Sequence, residues 1–152
     1  MNKQLKYKLT NKTLPLFPNI HDEKLEGIKM EGDNLFLSFK LTNRKEYISS
    51  LVGFEANNLV ITANLMDDAD CNVVVSKAVP KKMLKEKSKL GYGKKGNVYA
   101  IREFLQLYQG YNLFYSHSAV GSEKVYIVFS GQAKVEVEVI ITCKEISYTF
   151  SD

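Results

Sequence analysis

Histidine and cysteine are scarce in this 152-residue chain: His21 and His117 are the only imidazoles, and Cys71 and Cys143 the only thiols. Catalytic zinc sites and nucleophile–base pairs recruit these groups, yet the histidines stand 96 positions apart and the cysteines 72, matching no metal or redox spacing. His21-Asp22 shares the two-residue core of a metal-dependent hydrolase motif but lacks the further His and Asp ligands at helical positions. The expectation for His21 is structural: its ring nitrogens tie down the connector that follows Pro18, because imidazole in a packed setting needs hydrogen-bond partners. Ser116-His117-Ser118 sets a base beside two hydroxyls, but adjacent strand residues point to opposite faces and no G-x-S-x-G elbow is present. Asp68-Ala69-Asp70-Cys71-Asn72 opens like a calcium loop and then fails, with Val73 where glycine is needed and Val79 where a bidentate Glu belongs. The cysteines lie next to or within valine- and isoleucine-rich stretches, where a thiol behaves as a small buried hydrophobe. The inventory therefore implies no catalytic residue, no metal ligand and no cofactor.

Gly91-Tyr92-Gly93-Lys94-Lys95-Gly96 spells G-x-G-x-x-G ahead of a helical pattern, a position from which amide groups could hold phosphate. A dinucleotide fingerprint must follow a buried strand of a parallel unit, whereas a lysine-rich segment precedes this one and the flanking strands read as antiparallel. The expectation is a glycine loop between two helices, used for its backbone freedom. Charge is concentrated here. Seven lysines against Glu86 give residues 81–95 a net +6 within an overall +4, leaving −2 for the other 137 residues. Such a segment attracts phosphate or an acidic protein face at short range. Lys81, Lys82, Lys85, Lys87, Lys89, Lys94 and Lys95, with Tyr92 among them, are the candidate partner-binding residues. The same residues could serve as a solvated, solubilising run.

The elements that must position these groups follow from periodicity. Leu5, Tyr7 and Leu9 alternate with polar residues as a half-buried strand does. Pro15 and Pro18 make an irregular connector. Residues 25–31 and 35–41 flank Gly32-Asp33-Asn34 as a hairpin, and 47–54 with 59–65 flank Asn57-Asn58 as a second. Asp67 to Asp70 form a polar turn before a strand over 72–79. Pro80 suits the first turn of a short lysine-rich helix over about 81–90. Val98, Ile101, Phe104, Leu105 and Tyr108 mark one face of an amphipathic helix over about 98–109, with Asn97 as its cap, Gly110 at its end and Leu105 in the core. Strands over 111–116, 124–129, 134–142 and 145–150 complete an α+β fold: a mainly antiparallel β-sheet, with curvature allowed, carrying these two helices. The length fits one domain, 1–152, able to bury a core without disulfides. Fractions of 45% hydrophobic and 25% charged residues are globular values. No apolar run approaches the roughly 18 residues of a membrane span and the start lacks a signal peptide's apolar stretch, so no membrane role and a cytoplasmic location are expected.

Phe17-Pro18-Asn19-Ile20-His21-Asp22, followed by Leu25-Glu26-Gly27-Ile28 and Leu35-Phe36-Leu37-Ser38-Phe39, resembles the opening of small bacterial immunity-type proteins and related uncharacterised families, in which a His-Asp pair precedes the first long strands. The ending, Val135-Glu136-Val137-Glu138-Val139 through Cys143-Lys144-Glu145-Ile146-Ser147-Tyr148, is similar to their closing strands. The resemblance implies a non-enzymatic protein that binds and neutralises a cognate bacterial toxin, with a structural His-Asp pair. It transfers no binding residue, because such families diverge in the surfaces that choose the partner. The partner expected is a toxin or another acidic protein surface; the alternative is a nucleic-acid-binding module using the basic segment at 81–95.

Overall fold

Alternation of apolar and polar residues along short segments dictates strands with one buried face, and strands make up most of the molecule. A computed structural model describes residues 1–10, 12, 17–76, 92–93, 96–107, 112–132 and 135–152. In chain order the elements are β1 (Asn2–Lys8), β2 (Leu25–Glu31), β3 (Asn34–Lys40), α1 (Lys45–Val52), β4 (Asn58–Asn64), a 3-10 turn (Asp68–Asp70), β5 (Cys71–Ser76), β6 (Tyr92–Gly93), β7 (Gly96–Ala100), α2 (Ile101–Leu107), β8 (Phe114–Gly121), β9 (Lys124–Ser130), β10 (Glu136–Thr142) and β11 (Glu145–Ser151). They form two antiparallel sheets, ordered β1-β11-β4-β3-β2 and β6-β7-β5-β10-β9-β8. The α+β, mainly antiparallel fold expected from the sequence is the fold observed.

One core joins the inner faces. Leu35, Leu37 and Phe39 of β3, Leu59 and Ile61 of β4 and Ile146, Tyr148 and Phe150 of β11 are buried from one sheet; Val73, Val75, Val125, Ile127, Phe129, Val137, Val139 and Ile141 are buried from the other. Aromatic rings cross the gap: Phe39 stacks on Phe129 with centroids 6.3 Å apart and meets Tyr115 edge-on, also at 6.3 Å. The sheets are also sewn along their edges. Between β2 and β8, Lys24 and Phe114 form an isolated bridge, flanked by Asp22 N–H donating to Tyr115 O and Leu25 N–H donating to Leu113 O, both at 2.8 Å.

Three expectations need correction. The segment expected as the first strand of a second hairpin is the helix α1. Ile48 and Val52, one helical turn apart, turn into the core, and Gly53 ends the helix at φ 85°, a conformation that glycine adopts without Cβ strain. The amphipathic helix starts later than expected, because Val98 and Tyr99 extend β7 and pair with Val74 and Val73 of β5; ladder formation outweighs local helical periodicity here. Asn97 therefore caps nothing, lying in β7 with its amide donating to Tyr99 Oη at 3.2 Å. Ile101 and Phe104 are the core residues of α2, and Leu105 is partly buried against them. Finally, the glycine motif lies in a hairpin between two strands and not between two helices: Tyr92 pairs with Asn97 and Gly93 with Gly96. The expected helix at 81–90 lies outside the described residues, and β8 begins at Phe114, later than the strand expected from 111.

Candidate binding surface

Glu23 lies in the seam beside β8, where its carbonyl accepts from Tyr115 N–H, and its buried carboxylate ties that seam to the entry of α1. Glu23 is 0% exposed, and its oxygens accept from Thr42 N–H (2.9 Å), Thr42 Oγ1 (3.1 Å), Asn43 N–H (2.9 Å) and Arg44 N–H (3.2 Å). These groups lead into α1, whose N-cap residue Arg44 makes no side-chain cap of its own. A helix start leaves orphan amides and favours negative charge; Glu23, about twenty residues upstream, takes the orphan amide of Arg44, holds the two residues that lead into the helix and places its charge at the favourable end. Asn43 Nδ2 donates to Asp22 O at 2.8 Å and Arg44 Nε to His21 O at 3.2 Å, so the connector and the helix entry form one unit.

Both histidines converge on Ser116. His21 Nδ1 lies 2.7 Å from Ser116 O, and its Nε2 lies 3.3 Å from Asp22 Oδ1, which places the ring where a structural tie of the connector was expected. His117 Nδ1 lies 3.1 Å from Ser116 Oγ. That contact overturns the expectation that adjacent strand residues must face apart. A β-bulge between Tyr115 and His117 adds an unpaired residue, Ser116, and turns its hydroxyl toward the next side chain. A serine hydroxyl beside an imidazole is the start of a nucleophile–base pair, but a working site also needs a group that orients the base and a cleft that excludes water. Among the described residues no carboxylate pairs with His117, and both histidines are exposed. The arrangement offers hydrogen-bonding groups to a surface ligand.

His117 stands at the end of a row crossing the outer face of the six-stranded sheet. Ladder pairing sets Val98, Val74, Glu138, Val128 and His117 side by side on β7, β5, β10, β9 and β8. The neighbouring row reads Ala100, Asn72, Ile140, Tyr126 and Ala119. An outward sheet face is ordinarily polar; this one carries valine, isoleucine and tyrosine across several adjacent strands, with Val98 36% exposed, Val74, Tyr126 and Ile140 half-buried and Val128 buried. A second apolar pair, Tyr47 and Leu51, sits one turn apart on the solvent side of α1, 50% and 49% exposed.

The lysines proposed as partner-binding residues, Lys81, Lys82, Lys85, Lys87, Lys89, Lys94 and Lys95, lie outside the described residues, and of Tyr92 only its place in β6 is described. Cys71 and Cys143 are free and buried. Burial, then mutual repulsion with Cys143, pushes the Cys71 thiol up to about 12; burial pushes Cys143 to about 11. The acidic turn is self-contained: Asp70 Oδ2 accepts from the amides of Met66 and Asp67. No group of three or more His, Cys, Asp or Glu among the described residues is arranged to hold a metal ion. Three grooves of about 400, 430 and 340 Å³ are lined by residues that include neither histidine nor cysteine. No helix among the described residues is long and apolar enough to cross a membrane. Comparison with protein-family models, curated proteins and solved structures returned no match.

Proposed function

We propose that this chain works by stoichiometric binding of a protein, without turnover, in the manner of an immunity protein that neutralises a cognate bacterial toxin. The observation that carries the reading is the apolar outer face of the six-stranded sheet, where exposed Val98 and half-buried Val74, Tyr126 and Ile140 stand on a rigid ladder. Contiguous apolar surface on a folded domain marks an interaction site, and aromatic and aliphatic anchors on a rigid support are the usual centre of a protein interface. Glu136 and Glu138 project from the same strand on the same face, which disfavours a phosphate backbone there and favours a protein.

The test is coexpression with the product of the gene adjacent to its own in the source genome. The binding reading expects a one-to-one complex that survives 500 mM salt in size-exclusion chromatography with light scattering, together with relief of toxicity in a growth assay. Failure of both would refute it. The alternative, nucleic-acid binding through residues 81–95, rests on the +6 charge of that segment. It expects affinity for oligonucleotides that falls linearly in log[salt] as phosphate-bound counterions are released, and a flat salt dependence would exclude it.

A further inference from the structure

Glu138 sits at the middle of the apolar face. Its cross-strand neighbours are Val74 on β5 and Val128 on β9, Val98 lies beyond Val74, and Ile140 and Tyr126 occupy the adjoining row. The side chain is half-buried, and neither an ion pair nor a hydrogen bond engages its carboxylate among the described residues. A carboxylate flanked by valines and without a cation of its own carries a cost as water is excluded from it. Covering it with an uncharged partner would raise that cost, whereas covering it with a cation would offset it.

We propose that this face docks a protein partner that places an arginine on Glu138, with apolar side chains flanking that arginine on Val74, Val98 and Tyr126. The proposal rests on the protein-binding reading and names the chemistry of its partner. Arginine suits the position better than lysine, because guanidinium is more weakly hydrated and its planar fork can meet both carboxylate oxygens. A second copy of this chain is the poorer occupant: a twofold contact centred here sets Glu138 against Glu138 of the copy, and like charges brought together in a water-poor contact repel. Size points the same way. Five strands at about 4.8 Å and two rows about 7 Å apart span at most roughly 300 Å² with side-chain width included, and Val128 within that span is buried. The span is less than half of the roughly 800 Å² each partner contributes to a standard interface. The patch is therefore the centre of a larger contact, and its one charge selects the partner.

The test is a ¹⁵N NMR titration of the full chain with the tripeptide acetyl-Val-Arg-Val-amide, using acetyl-Val-Gln-Val-amide as the matched neutral probe. Shifts are expected at residues 74, 98, 126, 128, 138 and 140, with the arginine peptide binding about fivefold or more tightly than the glutamine peptide, a difference of about 1 kcal/mol. Glu138→Gln should abolish that preference, and Glu138→Lys should reverse it toward the neutral peptide. Thermal melts of both variants within a few degrees of wild type establish that the fold is intact. Equal binding of the two peptides, shifts that map elsewhere, or concentration-dependent dimerisation through this face would each overturn the proposal. The titration does not involve the natural partner. A silent titration beside a positive coexpression test would thus remove this arginine site and leave the protein-binding reading standing, whereas failed coexpression bears on that reading alone.

Discussion

Replacing Glu23 by alanine probes the joint on which the seam and α1 both depend. The carboxylate satisfies three backbone amides, at Thr42, Asn43 and Arg44, and one hydroxyl, at Thr42. Thr42 is exposed, so its hydroxyl can turn to water. The amides lie at the part-buried helix entry, and each one orphaned there costs about 1 to 3 kcal/mol. With partial access of water to the opened site, the expected loss for Glu23→Ala is about 3 to 5 kcal/mol, the range found when one partner of a buried charged contact is removed. At roughly 2 to 4 °C per kcal/mol for a chain of this size, the melting temperature should fall by roughly 10 °C. Glu23→Gln keeps one acceptor oxygen but turns an NH₂ toward amides that also donate, so it should lose about half as much. Calorimetry gives the global value, and hydrogen exchange locates the damage. Protection of the Ile48 amide, which bonds to Arg44 O at 2.9 Å, should collapse before that of β10. A melting point for Glu23→Ala within about 3 °C of wild type, with α1 protection unchanged, would refute the account of this carboxylate as the anchor of the entry to α1.

Phe104→Ala should cost about 3 to 5 kcal/mol in chemical denaturation, because Phe104 is buried, and partly buried Leu105→Ala should cost clearly less; the reverse order would mean that α2 is rotated. Tyr148 Oη is fully buried with no hydrogen-bond partner among the described residues, so Tyr148→Phe should leave urea stability unchanged or raise it by about 1 kcal/mol, and a loss of more than 2 kcal/mol would reveal a bond this hydroxyl does make. Raised thiol pKa values mean that the folded state holds Cys71 and Cys143 protonated more firmly than the unfolded chain does. Their contribution to stability is therefore fully present below the ordinary thiol value of 9.0 and is lost as pH rises through about 11 and 12. Native alkylation at pH 8 should accordingly be at least about 100-fold slower than in denaturant, and equal rates would show that the thiols are accessible and ionised.

Strand pairing was legible wherever one face is buried and the turn is local. Ile28 and Met30 answer Leu35 and Leu37 across Gly32, and Val135 to Ile141 alternate without interruption. The misreading of α1 has a physical source. Tyr47, Ile48, Val52 and Phe54 are β-prone types, and the acceptor that secures the helix start belongs to Glu23, which nothing in the local spacing connects to Thr42. At β7, the pairing of Val98 with Val74 is non-local, so the helical spacing of 98, 101 and 105 misled. The His21–Ser116–His117 cluster could not be read from two histidines 96 positions apart, because a bulge and an interstrand seam bring them together. The Glu138 row was hidden for a related reason. Glu136 and Glu138 read as the ordinary polar side of an alternating strand, and only the register shows that valines flank Glu138 on both neighbouring strands.

In the five-stranded sheet, the strand lying between β1 and β4 is β11, which follows every other strand in the sequence. A chain emerging from the ribosome can assemble β2, β3 and β4 as a meander, but the free edge of β4 then waits until all the intervening residues have been made. The N-terminal β1 waits even longer, since its partner strand among the described residues is β11. Assembly of this half of the protein is therefore a late event, limited by closure of very long loops. Until it happens, β4 offers Leu59, Ile61 and Ala63 beside an unsatisfied ladder, the kind of edge that invites pairing with another nascent chain. Shortening the chain by its final strand would strand β1 as well, separating the two ends of a sheet that local sequence would suggest are independent.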